Sequence, residues 1–508
     1  MKLGQLLKGI TVHDLKGDLE QELKGLADDS RRVRPGYLFV ARKGQKLNGH
    51  DYLRDAVQNG AVALVAEEFK GRPPHHGDVA RVLVPDAGEA LSKLAIQFYD
   101  HPFKGLNLIG ITGTNGKTTT SYLLESILSS AGVRPGVIGT NNYRFLDKIH
   151  LAPMTTPESL DLMCLMREMA DGGVTDVIME VSSHALDQKR TGGCPFRVGI
   201  FTNFSRDHLD YHRTMEDYFK AKSLLFRGLR KSKGGDEISA IINMDDPKGE
   251  ELAALTEADV VTYGLGPKCH IRADSISGDR RGLKARLITP MGEKDILSSL
   301  IGEVSIYNIL AASAAAISLN IGLDEVAEGI GRLGGVPGRL ELVKNDRGLT
   351  LVVDYAHTPD ALLKTLEAVR PLAKGKLITV FGCGGDRDRG KRYEMGLVAG
   401  ENSDLVFITS DNPRDEDPTS IIAQIERGTQ KSGLARLEWS YQKIFTGSGY
   451  FIEVDRRKAI HGAVATADEK DLVLIAGKGH EDYQIIDGEK ITFDDRKEAA
   501  LAAAKIGC

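Results

Sequence analysis

The sequence predicts an α/β chain of about three domains, with mostly parallel sheets in the second and third. Three observations predict this. The length, 508 residues, exceeds one ordinary domain. From Leu106 onward, apolar strand-like runs alternate with helical patterns, the order that builds a parallel sheet. A glycine-rich turn, Gly110-Ile111-Thr112-Gly113-Thr114-Asn115-Gly116-Lys117-Thr118-Thr119, stands between an apolar strand and a helix.

Composition bounds the class. A hydrophobic content of 41% with 27% charged residues is that of a soluble globular protein. A net charge of −5 gives no reason to expect nucleic acid or membrane binding. The five cysteines are odd in number and lack metal-ligand spacing, which favours reduced thiols in a cytoplasm. No apolar run is long enough to span a bilayer, and Met1 to Ile10 has no signal-peptide core. A cytoplasmic monomer is the expectation.

The elements follow in order. Residues 1–103 carry β-like runs at Gly36 to Val40, Ala61 to Val65 and Arg81 to Val84, then a helical pattern from Ala87 to Tyr99. His101-Pro102-Phe103 reads as a linker, because proline favours an extended approach. The second domain, 104–337, begins with a strand at Leu106 to Ile109, the glycine-rich turn and a helix from Ser121 to Ala131. Gly334-Gly335-Val336-Pro337-Gly338 punctuates the chain as a hinge. The third domain, 338–508, has strands at Thr350 to Val353, Leu377 to Phe381, Leu405 to Thr409 and Leu472 to Ala476.

The turn carries chemistry. Glycines let backbone N–H groups converge on an anion, and the helix N-terminus adds positive partial charge. Lys117 can reach terminal phosphates, and Thr118 can offer a hydroxyl to Mg²⁺. The usual P-loop spacing would put glycine where this chain has Ile111, so the motif is a variant. A neighbouring strand, Asp176 to Met179, ends in Glu180, the usual kind of second holder for nucleotide-bound Mg²⁺. Another, Gly199 to Thr202, ends in a polar stretch containing His208, a candidate for a second metal. In the third domain all four strands end in polar tails, at Asp354 to His357, Gly384 to Arg387, Asp411 to Arg414 and Gly477 to Glu481. Ligands of open α/β sheets bind at strand carboxyl ends, so a ligand site is predicted there as well.

These blocks together resemble the Mur ligase family, the ATP-dependent amide ligases of peptidoglycan precursor assembly. The resemblance runs through residues 113–119, Glu180 to His184, Asn203 to Asp210, Tyr307-Asn308, Pro337 to Glu341 and Asp354 to Pro359, in order along the chain. Thr155-Thr156-Pro157, Asp411-Asn412-Pro413-Arg414 and Gly477 to Gln484 narrow it to the diaminopimelate-adding branch. The family implies an N-terminal α/β uridine-nucleotide domain, a central P-loop-type domain and a C-terminal Rossmann-like domain. It implies ATP as co-substrate and two Mg²⁺ ions. The activity implied joins meso-2,6-diaminopimelate to UDP-N-acetylmuramoyl-L-alanyl-D-glutamate through an acyl phosphate. L-Lysine as the amino acid, or a folylpolyglutamate synthase-like activity, are the alternatives. A nucleotide-driven switch would share the glycine-rich turn, but it has no need of the third domain's tails.

Site roles carry over residue by residue. The catalytic and metal set is Lys117, Thr118, Glu180, His208 and Lys222, the last as a carbamate that acts as an oxygen ligand. The ATP set is Gly113, Thr114, Asn115, Gly116, Lys117, Thr118 and Thr119, with Asn308, Arg339 and Asp354 toward the nucleoside. The UDP-sugar peptide set is Ser30, Gln45, Lys46, Leu47, Thr155, Thr156, Ser182, Gln188 and Arg190. The diaminopimelate set is Arg387, Asp411, Asn412, Pro413, Arg414, Gly477 and Glu481. Arg414 is expected to pair the distal carboxylate that lysine lacks, which would set the preference between the two amino acids. Asp, Asn and Pro also favour a β-turn, which would position Arg414.

Overall fold

The computed structural model describes residues 1–44, 47–69, 79–230, 237–438 and 447–505. The N-terminal sheet has the strand order Asp14–Lys16, Ala80–Leu83, Ala61–Ala66, Tyr37–Val40, Gly25–Ala27, parallel except at the first pairing. The Ala87–Phe98 helix buries Ala87, Ala90, Leu91, Leu94 and Ala95, the spacing of one helical face. Asp86 caps it by accepting from Glu89 N at 2.8 Å.

The central sheet has eight strands. Their order is Asp259–Tyr263, Ser239–Asn243, Phe196–Phe201, Asn107–Thr112, Asp176–Glu180, Pro135–Ile138, Asn142–Phe145, Lys148–Leu151. The first six are mutually parallel and the last two form an antiparallel edge. Parallel strands covered on both faces read as continuous apolar runs, and Asn107–Thr112, Asp176–Glu180 and Phe196–Phe201 were visible in sequence for that reason, whereas Pro135–Ile138, Ser239–Asn243 and Asp259–Tyr263 were not read. The edge strands were not predicted. Neither was the three-stranded antiparallel sheet Arg272–Asp279, Gly282–Thr289, Gly292–Ser298.

The C-terminal sheet has the order Glu341–Leu342, Thr350–Asp354, Leu472–Ala476, Leu377–Phe381, Leu405–Ile408, Gly449–Ile452. Its last five strands are parallel, so the four polar tails emerge from one edge. A small hairpin, Tyr483–Ile486 with Glu489–Thr492, lies beyond it. The α/β class with parallel-rich sheets therefore holds. One boundary differs: the helix after the glycine-rich turn is Lys117–Ser130, four residues earlier than Ser121. Thr118, Thr119 and Thr120 are buried polar residues, so they gave no apolar signal. Among the described residues no helix is long and apolar enough to cross a membrane.

Candidate functional site

The carboxyl edge of the central sheet gathers the phosphate-loop residues. Gly116 opens the Lys117–Ser130 helix with φ 85°, a left-handed conformation that favours glycine. A Cβ there would lie 2.4 Å from Asn308 Oδ1, and one at Gly113 would lie 1.9 Å from Thr202 Oγ1. Both glycines are therefore required by close approach as well as by backbone angle. The Asn115 backbone N–H donates to Asn203 Oδ1 at 2.9 Å, and Thr114 N donates to Asn203 O at 2.9 Å, so the 203–205 segment braces the loop.

Two lysines converge on one carbonyl. Lys117 Nζ donates to Gly113 O and to Thr114 O, each at 2.9 Å. Lys222 Nζ donates to Gly113 O at 2.8 Å from the Met215–Arg227 helix. Lys222 is 2% exposed, with its amine 4.4 Å from the centre of the Tyr218 ring. Burial, then the neighbouring Lys117 charge, hold the Lys222 pKa well below the ordinary lysine value against the pull of Asp207. The half-buried Lys117 is lowered too, first by desolvation, with Glu180 opposing.

Glu180 is 1% exposed at the end of its strand. Its Oε2 accepts from Thr118 Oγ1 at 3.0 Å and from Thr140 Oγ1 at 2.8 Å, and Oε1 accepts from Thr140 N at 3.1 Å. His208 sits at φ 54° with Nε2 3.5 Å from Asp207 Oδ2. Desolvation lowers its pKa to about 4, opposed by Asp207. The imidazole is thus neutral at neutral pH, the form that can ligate a metal. Among the described residues no cluster of three or more His, Cys, Asp or Glu is placed to hold a metal.

A cavity of about 800 Å³ opens over these groups. Thr155 and Ser182 of the peptide set line it together with Thr114 to Thr119, Glu180 and His208. The C-terminal region closes the far wall with Arg339, Asp354, Tyr355 and His357. Arg339 Nη2 donates to Thr118 Oγ1 at 3.2 Å, and its guanidinium lies 4.6 Å from the Tyr355 ring centre. Asp354 is committed within the protein, accepting from Leu340 N at 2.7 Å, Ala356 N at 2.8 Å and Thr365 Oγ1 at 3.2 Å. It fixes the segment that carries Arg339.

Asn308 lines the cavity as well, and the remaining predicted residues fall outside it. Ser30 is buried in the N-terminal region and Leu47 is exposed; Gln45 and Lys46 lie outside the described residues. Thr156 Oγ1 donates to the Glu180 backbone carbonyl at 2.8 Å, so it is tied to the end of the Asp176–Glu180 strand. Arg190 Nη1 donates to Thr156 O at 3.1 Å and its Nη2 to Gln188 Oε1 at 2.6 Å.

The diaminopimelate set forms a second cluster at the C-terminal sheet edge. Asn412 is its hub. Its Oδ1 accepts from Lys478 Nζ at 3.1 Å and Ile485 N at 3.0 Å, and its Nδ2 donates to Glu481 Oε2 at 2.9 Å. Lys478 Nζ also donates to Glu481 Oε2 at 2.9 Å. The Asp411 carboxylate leaves no room for a side chain at Gly477, where a Cβ would lie 2.6 Å from Asp411 Oδ2. A Cβ at Gly385 would lie 1.9 Å from Pro413 O, so the second and third tails also pack closely. Arg414 is half-buried, and its Nη1 donates to Gly385 O at 2.6 Å; Arg387 is exposed. The Arg414 N–H donates to Ile485 O at 3.1 Å, so the 483–492 hairpin, not a closing turn bond, holds this loop.

Sequence reasoning missed three features here. Lys478 lay inside a quoted motif but was given no role. The ion pair Arg392–Glu416 lies under the loop, with Nη2 to Oε1 at 2.9 Å and Nη1 to Oε2 at 3.0 Å. The fully buried pair Arg456–Asp495 braces two strand ends, since Arg456 also donates to Ser410 O at 3.3 Å and Ala476 O at 3.0 Å.

Comparison with known proteins places this geometry. Profiles of the Mur ligase family match in order: the family catalytic domain at residues 22–99, the middle domain at 111–316 and the glutamate ligase domain at 338–479. The chain belongs to the Mur ligase family. A UDP-N-acetylmuramoyl-L-alanyl-D-glutamate–2,6-diaminopimelate ligase from Geobacter metallireducens is 48% identical to this Mur ligase over 99% of the chain and 98% of the relative. A solved structure described by the same enzyme name superposes with a TM-score of 0.68 at 31% identity, covering 99% of both chains. A MurF ligase from Thermotoga maritima, solved in complex with ADP, has a TM-score of 0.60 at 19% identity over 97% of this chain and 98% of its own. That likeness concerns the fold alone.

Proposed function

We infer that this Mur ligase is an ATP-dependent ligase that joins meso-2,6-diaminopimelate to UDP-N-acetylmuramoyl-L-alanyl-D-glutamate in cytoplasmic peptidoglycan precursor synthesis. The observation that carries the reading is the single cavity in which the phosphate loop, Glu180, Thr155 and Ser182 face Arg339 and His357 across two regions of the chain. The substrate names come from relatives that match over full length.

A free carboxylate does not acylate an amine at neutral pH. In this reading the glutamyl carboxylate oxygen attacks the γ-phosphorus of ATP, the bond to the β–γ bridging oxygen breaks and ADP leaves. The amine then attacks the acyl carbon, loses a proton and expels phosphate. Lys117 supplies positive charge beside the transferring phosphoryl group. The loop N–H groups and the helix start cradle the phosphates. Asn308, packed on Gly116, would meet the nucleotide beside the loop, and Arg339, braced by Asp354, from the opposite side.

Thr118 Oγ1 and the Glu180 carboxylate are hard oxygen donors 3.0 Å apart at the cavity wall, a donor set that suits Mg²⁺. Bound there, the ion would neutralise charge on the phosphoryl oxygens. For a second ion, His208 and Lys222 are the holders, with Lys222 carrying a carbamate. That modification needs a neutral amine: the nitrogen attacks CO₂, a C–N bond forms and a proton leaves. Burial, which lowers the pKa of Lys222, favours that form. Ser30 and the 45–47 loop would hold the uridine diphosphate, and Thr155, Thr156, Ser182, Gln188 and Arg190 the muramoyl peptide. Arg387, Asp411, Asn412, Pro413, Arg414, Gly477 and Glu481 would hold the diamino acid.

The domains are proposed as 1–103, 104–337 and 338–508. Because the diamino acid cluster lies off the phosphate cavity, the two must approach for chemistry, which also excludes water from the acyl phosphate. Side chains at Gly334 and Gly335 would meet nothing within 4 Å, whereas a Cβ at Gly338 would lie 2.0 Å from His480 N. Within the proposed hinge, Gly334–Gly335 has the room to turn that Gly338 lacks. The test is ADP release with each substrate omitted in turn. Full rate is expected only with ATP, the UDP-sugar peptide and diaminopimelate together. A rate indifferent to the last two would indicate a nucleotide switch instead.

A further inference from the structure

One carboxylate bridges two arginines from different parts of the chain. Glu158 Oε2 accepts from Arg42 Nη2 at 2.9 Å, and Glu158 Oε1 lies 3.0 Å from Arg190 Nη2. Arg42 follows the Tyr37–Val40 strand of the N-terminal sheet, while Arg190 follows the Ser183–Asp187 helix of the central region. Arg42 Nη2 also donates to Asp28 Oδ2 at 2.6 Å. Asp28 stands two positions before Ser30, a proposed diphosphate contact, and Arg190 stands among the proposed peptide contacts.

The bridge is built rather than incidental. Glu158 is fixed by Pro157 before it and by its place at the start of the Ser159–Asp171 helix, with φ −62° and ψ 153°. All three side chains are largely enclosed, at 24% exposure for Arg42, 25% for Glu158 and 12% for Arg190. Two arginines and two carboxylates sum to no formal charge, so Glu158 does not draw an anionic substrate toward the site. What it does is hold two like-charged guanidiniums at a set separation that they would not otherwise keep. Gln188 Oε1 and Thr156 O fix the plane of Arg190 from its other edges.

We propose that Glu158 is a positioning residue that sets Arg42 and Arg190 in register, so that a substrate with a diphosphate at one end and a peptide carboxylate at the other meets both halves of its site at once. The inference rests on the reading above that Arg190 contacts the muramoyl peptide. Glu158 acts through the arginines and touches no reacting atom.

The experiment compares Glu158→Gln, Glu158→Ala and Arg190→Ala in steady-state kinetics, with UDP binding measured by calorimetry. Loss of a charge-assisted contact at an otherwise intact site should raise KM for the UDP-sugar peptide about tenfold while kcat stays within about twofold. The KM for ATP and the affinity for UDP alone should stay within about twofold, because each lies on one side of the bridge. In the Arg190→Ala background, Glu158→Gln should add nothing further, since the two act on one contact. If Arg190→Ala raises that KM and neither Glu158 variant does, the positioning role is overturned and the substrate reading stands. If Arg190→Ala leaves the KM unchanged, the substrate reading at Arg190 fails and the inference falls with it. If Glu158→Gln weakens UDP, ATP and the sugar peptide alike with a lowered Tm, Glu158 is merely structural and the inference is again overturned.

Discussion

The seam between the N-terminal and central sheets differs in kind from the seam between the central and C-terminal sheets. The first is apolar. A single buried cluster runs through it, from Leu38 and Leu91 on one side to Leu108 and Met163 on the other. Ile96 of the Ala87–Phe98 helix would lie 2.8 Å from a Cβ at Gly193, so the central backbone comes close to it there. The second seam is polar and wraps the cavity. The C-terminal sheet keeps its own two apolar clusters, with Ile301 the one buried member drawn from the central region among the described residues. Across it, Asp360 Oδ2 accepts from Ser205 Oγ at 2.6 Å and Asn115 Nδ2 at 3.3 Å, and Arg339 Nη2 donates to Thr118 Oγ1 at 3.2 Å. Apolar area stays buried because exposing it costs about 25 cal/mol per Å². Polar contacts exchange with water at small net cost. Under the proposed function, the first seam would act as a fixed platform for one long substrate, and the second would be the seam that opens and closes around ATP.

That contrast can be broken in several places. The largest effect is expected at the phosphate cavity. Lys117→Ala should lower kcat by at least about 10²–10³, the scale of one lost charge-stabilising donor, while the protein stays folded. Lys222→Ala should be nearly inactive as well, and a short carboxylate from solution should restore part of the rate by replacing the lost oxygen ligands. A folded, active Lys117→Ala protein would remove the second seam's claim to the chemistry.

Next comes the apolar seam. Ile96→Ala should reduce the unfolding free energy by about 2–5 kcal/mol, the cost of a large-to-small change in a buried site, without altering KM for the amino acid. Unchanged denaturant stability would mean that the first seam is not the platform proposed. Smaller is the specificity effect. Arg414→Ala should raise KM for diaminopimelate at least about tenfold, since a hydrogen bond to a charged group is worth roughly 1.5–3 kcal/mol. It should also narrow the gap to lysine, and Arg414→Lys should recover only part, because an ammonium lacks the planar fork. The smallest effect in stability is at the polar seam. Asp360→Asn should change unfolding by no more than about 1 kcal/mol, because the net contribution of a half-buried hydrogen bond is about that size. Its signature should instead be a more extended average shape in solution scattering, and an unchanged scattering profile would count against a hinge at this seam.

Much of the fold was legible because parallel strands are apolar throughout. Leu377–Phe381 and Leu472–Ala476 fall on the residues read from sequence. Antiparallel pieces were harder. The Gly282–Thr289 strand buries Leu283, Ala285, Leu287 and Thr289 in alternation with Lys284 and Arg286 on the open face, a period-two signal that ends early because Ile288 also falls on that face. For the site, the motif residues around Lys117 and Glu180 are brought together as strand-end logic predicts. The supporting pairs were not legible. Arg456 and Asp495 stand 39 positions apart, and Arg392 and Glu416 stand 24 apart. A helical arginine read alone looks like part of a solvated face; only the fold brings its carboxylate to it. Lys478 shows the middle case, noticed within a motif but given its role only by the Asn412 and Glu481 contacts.

The most direct test of the central claim is the mass of the product formed from ATP, the UDP-sugar dipeptide and an equimolar mixture of diaminopimelate and lysine. The account predicts one main product, the diaminopimelate adduct, with one ADP and one phosphate released per molecule formed. A main product carrying lysine, or ADP release without any adduct, would contradict it.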